Sequence, residues 1–118
     1  MYVNTYILGV PEDRKAEYVG IAERYAEIAR YHGAMEIAEN WELEVPDGAL
    51  TDYRKAIRAE QGERIVMSWV IWPDRETAET AHKRMFEDPR MADLGEMPFD
   101  GKRMILGGFE PIVRYRRE

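Results

Sequence analysis

Three places in this 118-residue chain carry residue types that could do chemistry. The first is Glu39. Met35, Ile37, Trp41, Leu43 and Val45 alternate around it on the apolar side of a strand pattern, and Glu39 alone interrupts them. A carboxylate on an apolar face loses hydration, which raises its pKa and suits it to pass a proton near neutral pH. It also needs a partner, because an unpaired buried charge is costly. An ion pair with Arg54, Arg64 or Arg103, or a strand end that reaches water, is the structural alternative. The second is His82, in the inner stripe of a helix pattern. Histidine titrates closest to neutral pH and is a natural acid or base, although a hydrogen-bonded core histidine fits the same position. Glu39 and His82 are the candidate catalytic residues.

The third place is the loop leading to the last strand. Asp88, Arg90, Asp100, Lys102 and Arg103 are interleaved there with Met91, Met97, Phe99 and Met104. Arginine beside soft apolar groups could grip a carboxylate or an aromatic ligand. The alternative is a salt-bridged loop that locks helix to strand. Trp41 and Trp69 could line a helix-to-sheet pocket with Tyr6 and Tyr25, or serve only as core. Glu42 and Glu44 share the outer face of an edge strand and read as solvated. His32 ends a helix pattern and suits the negative end of its dipole.

Other chemistries are excluded or lack a signature. There is no cysteine, which removes disulfides, thiolate metal sites and thiol nucleophiles. His32 and His82 lie fifty positions apart and make no metal-ligand spacing, so no metal or cofactor is expected. The single serine, Ser68, is mid-strand without a nucleophile elbow. Gly107-Gly108 falls within a strand pattern and is no phosphate loop. A net charge of −6 argues against nucleic acid as a partner, and Arg114, Arg116 and Arg117 read as a solvated tail. The start resembles no leader, and no run approaches a membrane span, so a soluble cytoplasmic protein is the expectation.

The elements that must hold these residues follow from periodicity. Arg64 to Trp72 is apolar on both faces and stops at Pro73, as a strand in the middle of a sheet would. Tyr2 to Val10 is a second such strand. Pro11-Glu12-Asp13 opens a helix that Gly33 ends, with an inner stripe of Tyr18, Ile21, Ala22, Tyr25 and Ala29. Ala34 to Val45 is half-polar and suits an edge. Val45-Pro46-Asp47-Gly48 fits a type I turn. Thr51 or Asp52 could cap a short helix through Arg58.

Asp74 caps a further helix to about Glu87, with Ala78, Ala81, His82 and Met85 inward. Asp88-Pro89 opens another turn of helix to Leu94. Lys102 to Val113 is the last strand. Pro111 puts it at an edge, and Gly107-Gly108 suggests a bulge or a close backbone approach. The whole is one α+β domain with the ferredoxin-like βαββαβ plan. It is an antiparallel four-stranded sheet of order 4-1-3-2 with helices on one face. The uncovered face would expose a large apolar patch unless a second copy packed there, so a homodimer through the sheet is the expected partner.

Several blocks carry a resemblance. They are Val45-Pro46-Asp47-Gly48, Thr51-Asp52-Tyr53-Arg54, Ser68-Trp69, Asp88-Pro89-Arg90-Met91, Met97 through Met104 and Gly107-Gly108-Phe109. Together they resemble the YbaA-like family of bacterial proteins, domain of unknown function 1428. The resemblance implies the fold of the dimeric α+β barrels and supplies no activity. It also implies a cysteine in some relatives where this chain has Asn40, so thiol chemistry there is not open to this chain. The expected function is binding or transforming a small organic molecule between helices and sheet. The alternative is a structural or ligand-sensing dimer without catalysis.

Overall fold

The computed structural model describes residues 1–118. Strand β1 (Tyr2–Pro11) leads through a 3-10 turn into helix α1 (Lys15–Tyr31), then β2 (Glu36–Trp41). A one-turn helix α2 (Tyr53–Ala56) precedes β3 (Glu63–Trp72). Helix α3 (Arg75–Glu87), the short α4 (Pro89–Ala92) and β4 (Ile105–Phe109) complete the chain. The sheet order is β2-β3-β1-β4, with every neighbouring pair antiparallel. This is the expected α+β plan: the strands with two apolar faces are central and the other two are edges.

β1 and β3 pair along their full length, from Tyr2 opposite Trp72 to Pro11 opposite Glu63. Alternation then sorts side chains by face. Asn4, Leu8 and Val10 of β1, with Val66, Ser68, Val70 and Trp72 of β3, are buried beneath the helices. The Trp72 indole N–H donates to the Asn4 side-chain oxygen at 2.9 Å, which satisfies both buried groups. α1 buries Tyr18, Ile21, Ile28 and Ala29, and α3 buries Ala78, Ala81 and Met85. Ile28 joins the expected stripe. His82 leaves it: the residue is exposed, with its ring edge against Trp72 at a centroid distance of 5.6 Å. The space that inward spacing offered is filled by the indole.

The caps follow the sequence closely. The Asp52, Asp74 and Asp88 carboxylates accept from the N–H groups of Lys55, Thr77 and Arg90. Gly33 ends the turn after α1 at φ 114°. Three expectations change. β2 and β4 are shorter than their apolar patterns, since each edge strand pairs on one side only over Glu36–Trp41 and Ile105–Phe109. α2 stops at Ala56, and Arg58 takes a positive φ. Residues 45–48 run without a turn, because Gly48 instead folds its N–H onto the Asp52 carboxylate at 3.0 Å. A Cβ on Gly48 would fall 1.8 Å from the Thr51 carbonyl oxygen, so only glycine fits. Gly108 allows a close approach and no bulge: the β1–β4 register is unbroken, and the Tyr2 hydroxyl occupies the place of a Cβ.

The opposite face of the sheet is covered only at one end, where Ile57, just after α2, is buried against Gly9 and Ile65 is buried beside it. Met67, Trp69 and Ile71 of β3 are half-exposed there, beside Val3 and Ile7 of β1. Ile105 and Phe109 of β4 extend the patch, 41% and 56% exposed. No helix is long and apolar enough to cross a membrane.

Candidate functional site

One rank of paired residues crosses the sheet beneath α1. Glu39 of β2 pairs with Ser68 of β3, and Ser68 pairs with Tyr6 of β1. Ser68 is the one short side chain on the helix-facing side of β3, between Val66 and Val70, and it is 2% exposed. A small residue in the middle of a rank of large ones leaves room above it. α1 passes over that room with Tyr18, Ile21, Ala22 and Tyr25, spaced i, i+3, i+4 and i+7 on one face. Met91, Met97, Phe99 and Met104, from α4 and the loop after it, form the remaining wall.

The result is a cavity of about 170 Å³ between helix and sheet. Ten of its twelve lining residues are hydrophobic, so the placement of its polar groups decides its chemistry. It lies at the seam between two parts of the core, one around Leu8, Val10, Tyr18 and Val66, the other around Ile21, Val70, Trp72 and Met85. A second cleft of about 220 Å³ adjoins it along the start of α1. There Lys15, Val19 and Glu23 face Ile37 and Trp41. Tyr18, Ala22 and Glu39 border both spaces, so the Tyr18–Glu39 contact stands between them.

That contact is a hydrogen bond of 2.5 Å, donated by the Tyr18 hydroxyl to Glu39 Oε1. No cation lies within ion-pairing distance of Glu39. Arg54 and Arg64 both hold Glu42, and Arg103 holds Glu63, Glu60 and Asp100. The ion pair considered from the sequence does not form. Glu39 keeps an outer flank in water, as an edge strand allows, while its inner flank meets the aromatic rings. Dehydration on that side raises the carboxyl pKa, and the Tyr18 hydrogen bond offsets the rise only in part.

The surrounding phenols move the same way. Burial, then the nearby Glu39 charge, pushes Tyr18 far above its ordinary value. Tyr25 is raised by burial and by its hydroxyl contact with Tyr6, and Tyr6 itself is raised chiefly by burial. All three stay protonated hydroxyls at neutral pH. The group that can change charge in the cavity is Glu39, with Tyr18 as its donor. Phe99 packs edge-on against Tyr18, with ring centroids 6.2 Å apart, and steadies the phenol.

The other expected site residues are dispersed. Tyr6 and Tyr25 line the cavity, and Trp41 lines the adjoining cleft. Trp69 faces the opposite side of the sheet, where its indole donates to Glu36 at 2.8 Å; its neighbour Ser68 takes the cavity side. His82 borders neither space, and dehydration of the part of its ring packed on Trp72 lowers its pKa. The loop residues separate into two ion-pair groups outside the cavity. Asp88 binds Arg90 and His32 at 2.7 and 2.9 Å, so His32 ties α1 to the α4 cap beyond its place at the helix end. Asp100 holds Arg103, which grips Glu63 in a two-pronged contact at 2.8 and 2.7 Å. The charged half of the loop is thus a clasp, and its apolar half is the cavity wall. Tyr18, Ser68, Met91, Met97, Phe99 and Met104 are lining residues that were not assigned to the Glu39 site from sequence.

The sequence profile of a family described as "Protein of unknown function (DUF1428)" matches residues 1–101. The chain is 46% identical over 113 residues to the protein named "Uncharacterized protein YbaA" of Escherichia coli strain K12, covering 95% of this chain and 97% of that one. The YbaA protein of Shigella flexneri matches to the same extent. Among solved structures, protein Atu4242 from Agrobacterium tumefaciens superposes with a TM-score of 0.60 at 10% identity, over 94% of this chain and 93% of that one. A NIPSNAP domain protein from Burkholderia xenovorans gives 0.58 at 12%, over 99% and 100%. A mutant form of SnoaB, a cofactor-independent oxygenase from Streptomyces nogalater, gives 0.57 at 14%, over 98% of both chains. Those three likenesses concern the fold, which is spread across the whole length of the chain; by its own sequence the chain belongs to the DUF1428 family, alongside YbaA.

Proposed function

We propose that this protein is a cytoplasmic homodimer that binds or transforms a small organic molecule in the cavity between α1 and the sheet, with Glu39 as the group that accepts or returns a proton. One observation carries the reading. An apolar cavity has at its border a carboxylate whose only protein partner is a neutral phenol, where the same region supplies arginines to other carboxylates. A carboxyl raised by dehydration sits closer to neutral pH and moves a proton more readily. Tyr18 can hold the carboxylate in place and hand its hydrogen bond to a ligand. The fold is shared with a cofactor-independent oxygenase, but that likeness does not select a reaction.

The homodimer is supported by the open face of the sheet. Val3, Ile7, Met67, Trp69, Ile71, Ile105 and Phe109 form one apolar surface without cover. Such a surface on an isolated chain marks an interface. Sedimentation velocity at micromolar concentration is expected to give a dimer, and Met67→Asp is expected to give a folded monomer. A monomeric parent would remove the interface.

Ligand binding is tested by thermal-shift screening of metabolites, since a ligand that binds the native state raises its melting temperature. Glu39→Gln keeps the shape and removes proton transfer. Turnover lost with binding retained assigns catalysis to Glu39. A binding or sensing role without catalysis is favoured by one feature: His82 is outside the cavity, so Glu39 has no acid–base partner of neutral pKa beside it. In that case ligands bind and Glu39→Gln changes affinity alone.

A further inference from the structure

The geometry points to a compact hydrophobic amine as the ligand of this cavity: an alkyl or arylalkyl body among the aromatic and methionine side chains, and a protonated nitrogen on the Glu39 carboxylate. This rests on the cavity being a ligand site and names the chemistry that would fill it.

Glu39 is the one charged residue lining the cavity. No lysine, arginine or histidine borders it. A bound anion would meet that carboxylate with nothing to offset it. A neutral ligand would dehydrate it further without a counter-charge. An ammonium supplies the missing opposite charge in a partly dehydrated place, where a charge-assisted hydrogen bond is strongest. The walls suit the rest of such a molecule. Tyr6, Tyr18, Tyr25 and Phe99 present ring surfaces that attract a cation as well as an apolar chain, and the methionines adapt to its shape.

Groups that could compete are placed elsewhere. Lys15 borders the adjoining cleft, with its ammonium 5.1 Å from the centre of the Trp41 ring and no ion pair to Glu39. Arg54, Arg64 and Arg103 are each committed to other carboxylates. The titratable groups facing Glu39 are Tyr18, Tyr6 and Tyr25, which stay neutral hydroxyls near pH 7. Lys15 and Glu23 on α1 complete the set in the cleft. The charge state of Glu39 therefore governs the preference, and affinity for an amine should weaken as the pH falls and Glu39 takes up its proton.

The test uses three probes of one shape on the full chain: 2-phenylethylamine, 2-phenylethanol and phenylacetate. Titration calorimetry at pH 7.5 is expected to show the amine binding at least tenfold more tightly than the alcohol and the acid not binding. Glu39→Gln should reduce that preference to about threefold or less, with circular dichroism unchanged. Lys15→Met should leave it intact. Equal binding of amine and alcohol would overturn the amine assignment while the cavity stands as a ligand site. Preference for phenylacetate would overturn it in favour of Lys15. If none of the three binds at millimolar concentration, the amine assignment falls; if Ser68→Leu also raises the melting temperature by filling the space, the cavity is a packing defect and the ligand-site reading falls with it.

Discussion

Glu39 and Glu42 stand three positions apart at the end of β2 and meet opposite surroundings. The Glu42 side chain is 6% exposed, accepts the Ile65 backbone N–H at 2.8 Å and is held by Arg54 and Arg64. Its burial opposes ionisation, but the N–H and the two guanidiniums outweigh that cost, and its pKa is lowered. Glu39 borders an apolar cavity, has a phenol for company, and its pKa is raised. Glu63 repeats the first pattern through Arg103, which lowers its pKa. Glu42 and Glu63, which tie the strands to their surroundings, have each been given guanidinium partners. Glu39, beside the cavity, has a phenol instead, and this contrast separates a strut from a site.

The largest effect should come from breaking the strut. Glu42→Ala leaves the Ile65 N–H without its acceptor and takes one partner from each of two guanidiniums, Arg54 keeping the Glu63 carbonyl and Arg64 keeping Glu12. Loss of a fully buried partner costs about 3–5 kcal/mol. Arg54 and Arg64 are more than a third exposed and can turn to water, so about 2 kcal/mol is expected here. Urea unfolding would measure it. Glu39→Gln, which removes an uncompensated charge and keeps an oxygen for the Tyr18 hydroxyl, should shift stability by less than about 1 kcal/mol. Equal losses at both positions would erase the distinction between them.

Acidity sharpens the comparison, because the two groups contribute with opposite signs in one pH window. The ordinary value for both is 4.5. Glu42 titrates lower in the folded state, so its stabilisation is complete above about pH 4.5 and is lost as the pH falls through the folded pKa. Glu39 titrates higher in the folded state, which therefore binds the proton more tightly than the unfolded chain does. Its unfavourable contribution is absent at acid pH, grows as the pH rises above 4.5, and levels off beyond the folded pKa. Unfolding measured from pH 3 to 7.5 should show the Glu42→Gln deficit shrinking towards acid. Glu39→Gln should gain on the parent as the pH rises. A Glu39→Gln difference that stayed flat would mean that the carboxyl is hydrated normally.

Much of this was legible in the chain. Two strands with apolar faces on both sides could only be central, and the polar alternation of β2 marked one edge; the last strand takes the other, although Pro111, read as its edge residue, lies beyond β4. Glu39 stood out because it broke that alternation. Its partner was not legible. The choice between Arg54, Arg64, Arg103 and Tyr18 depends on how α1 lies over β2, a tertiary fact that local periodicity does not contain. Trp69 shows the limit from another side. Parity within β3 separates Ser68 from Trp69, but only the cross-strand register, Glu39 opposite Ser68, says which of them shares the cavity. The short serine in a bulky strand was the available signal. His82 shows a third limit: helical spacing gave a direction, and the large Trp72 indole took the space that direction led to.

The finest test exchanges the partner of Glu39 and keeps everything else. Tyr18→Phe removes one hydroxyl from a residue that is 7% exposed and retains its ring against Phe99. Glu39 then loses its only donor, and its carboxyl should rise further, because dehydration now acts without offset. The cost in stability should be small, about 1 kcal/mol at neutral pH and less at acid pH, where a protonated Glu39 has less need of the bond. Carboxyl carbon chemical shifts of labelled glutamate would follow the titration of Glu39 directly. A midpoint that stays in place on losing the hydroxyl would show that water, reaching the carboxylate from its outer flank, had been its effective partner all along. The contrast with Glu42 would then reduce to one of exposure.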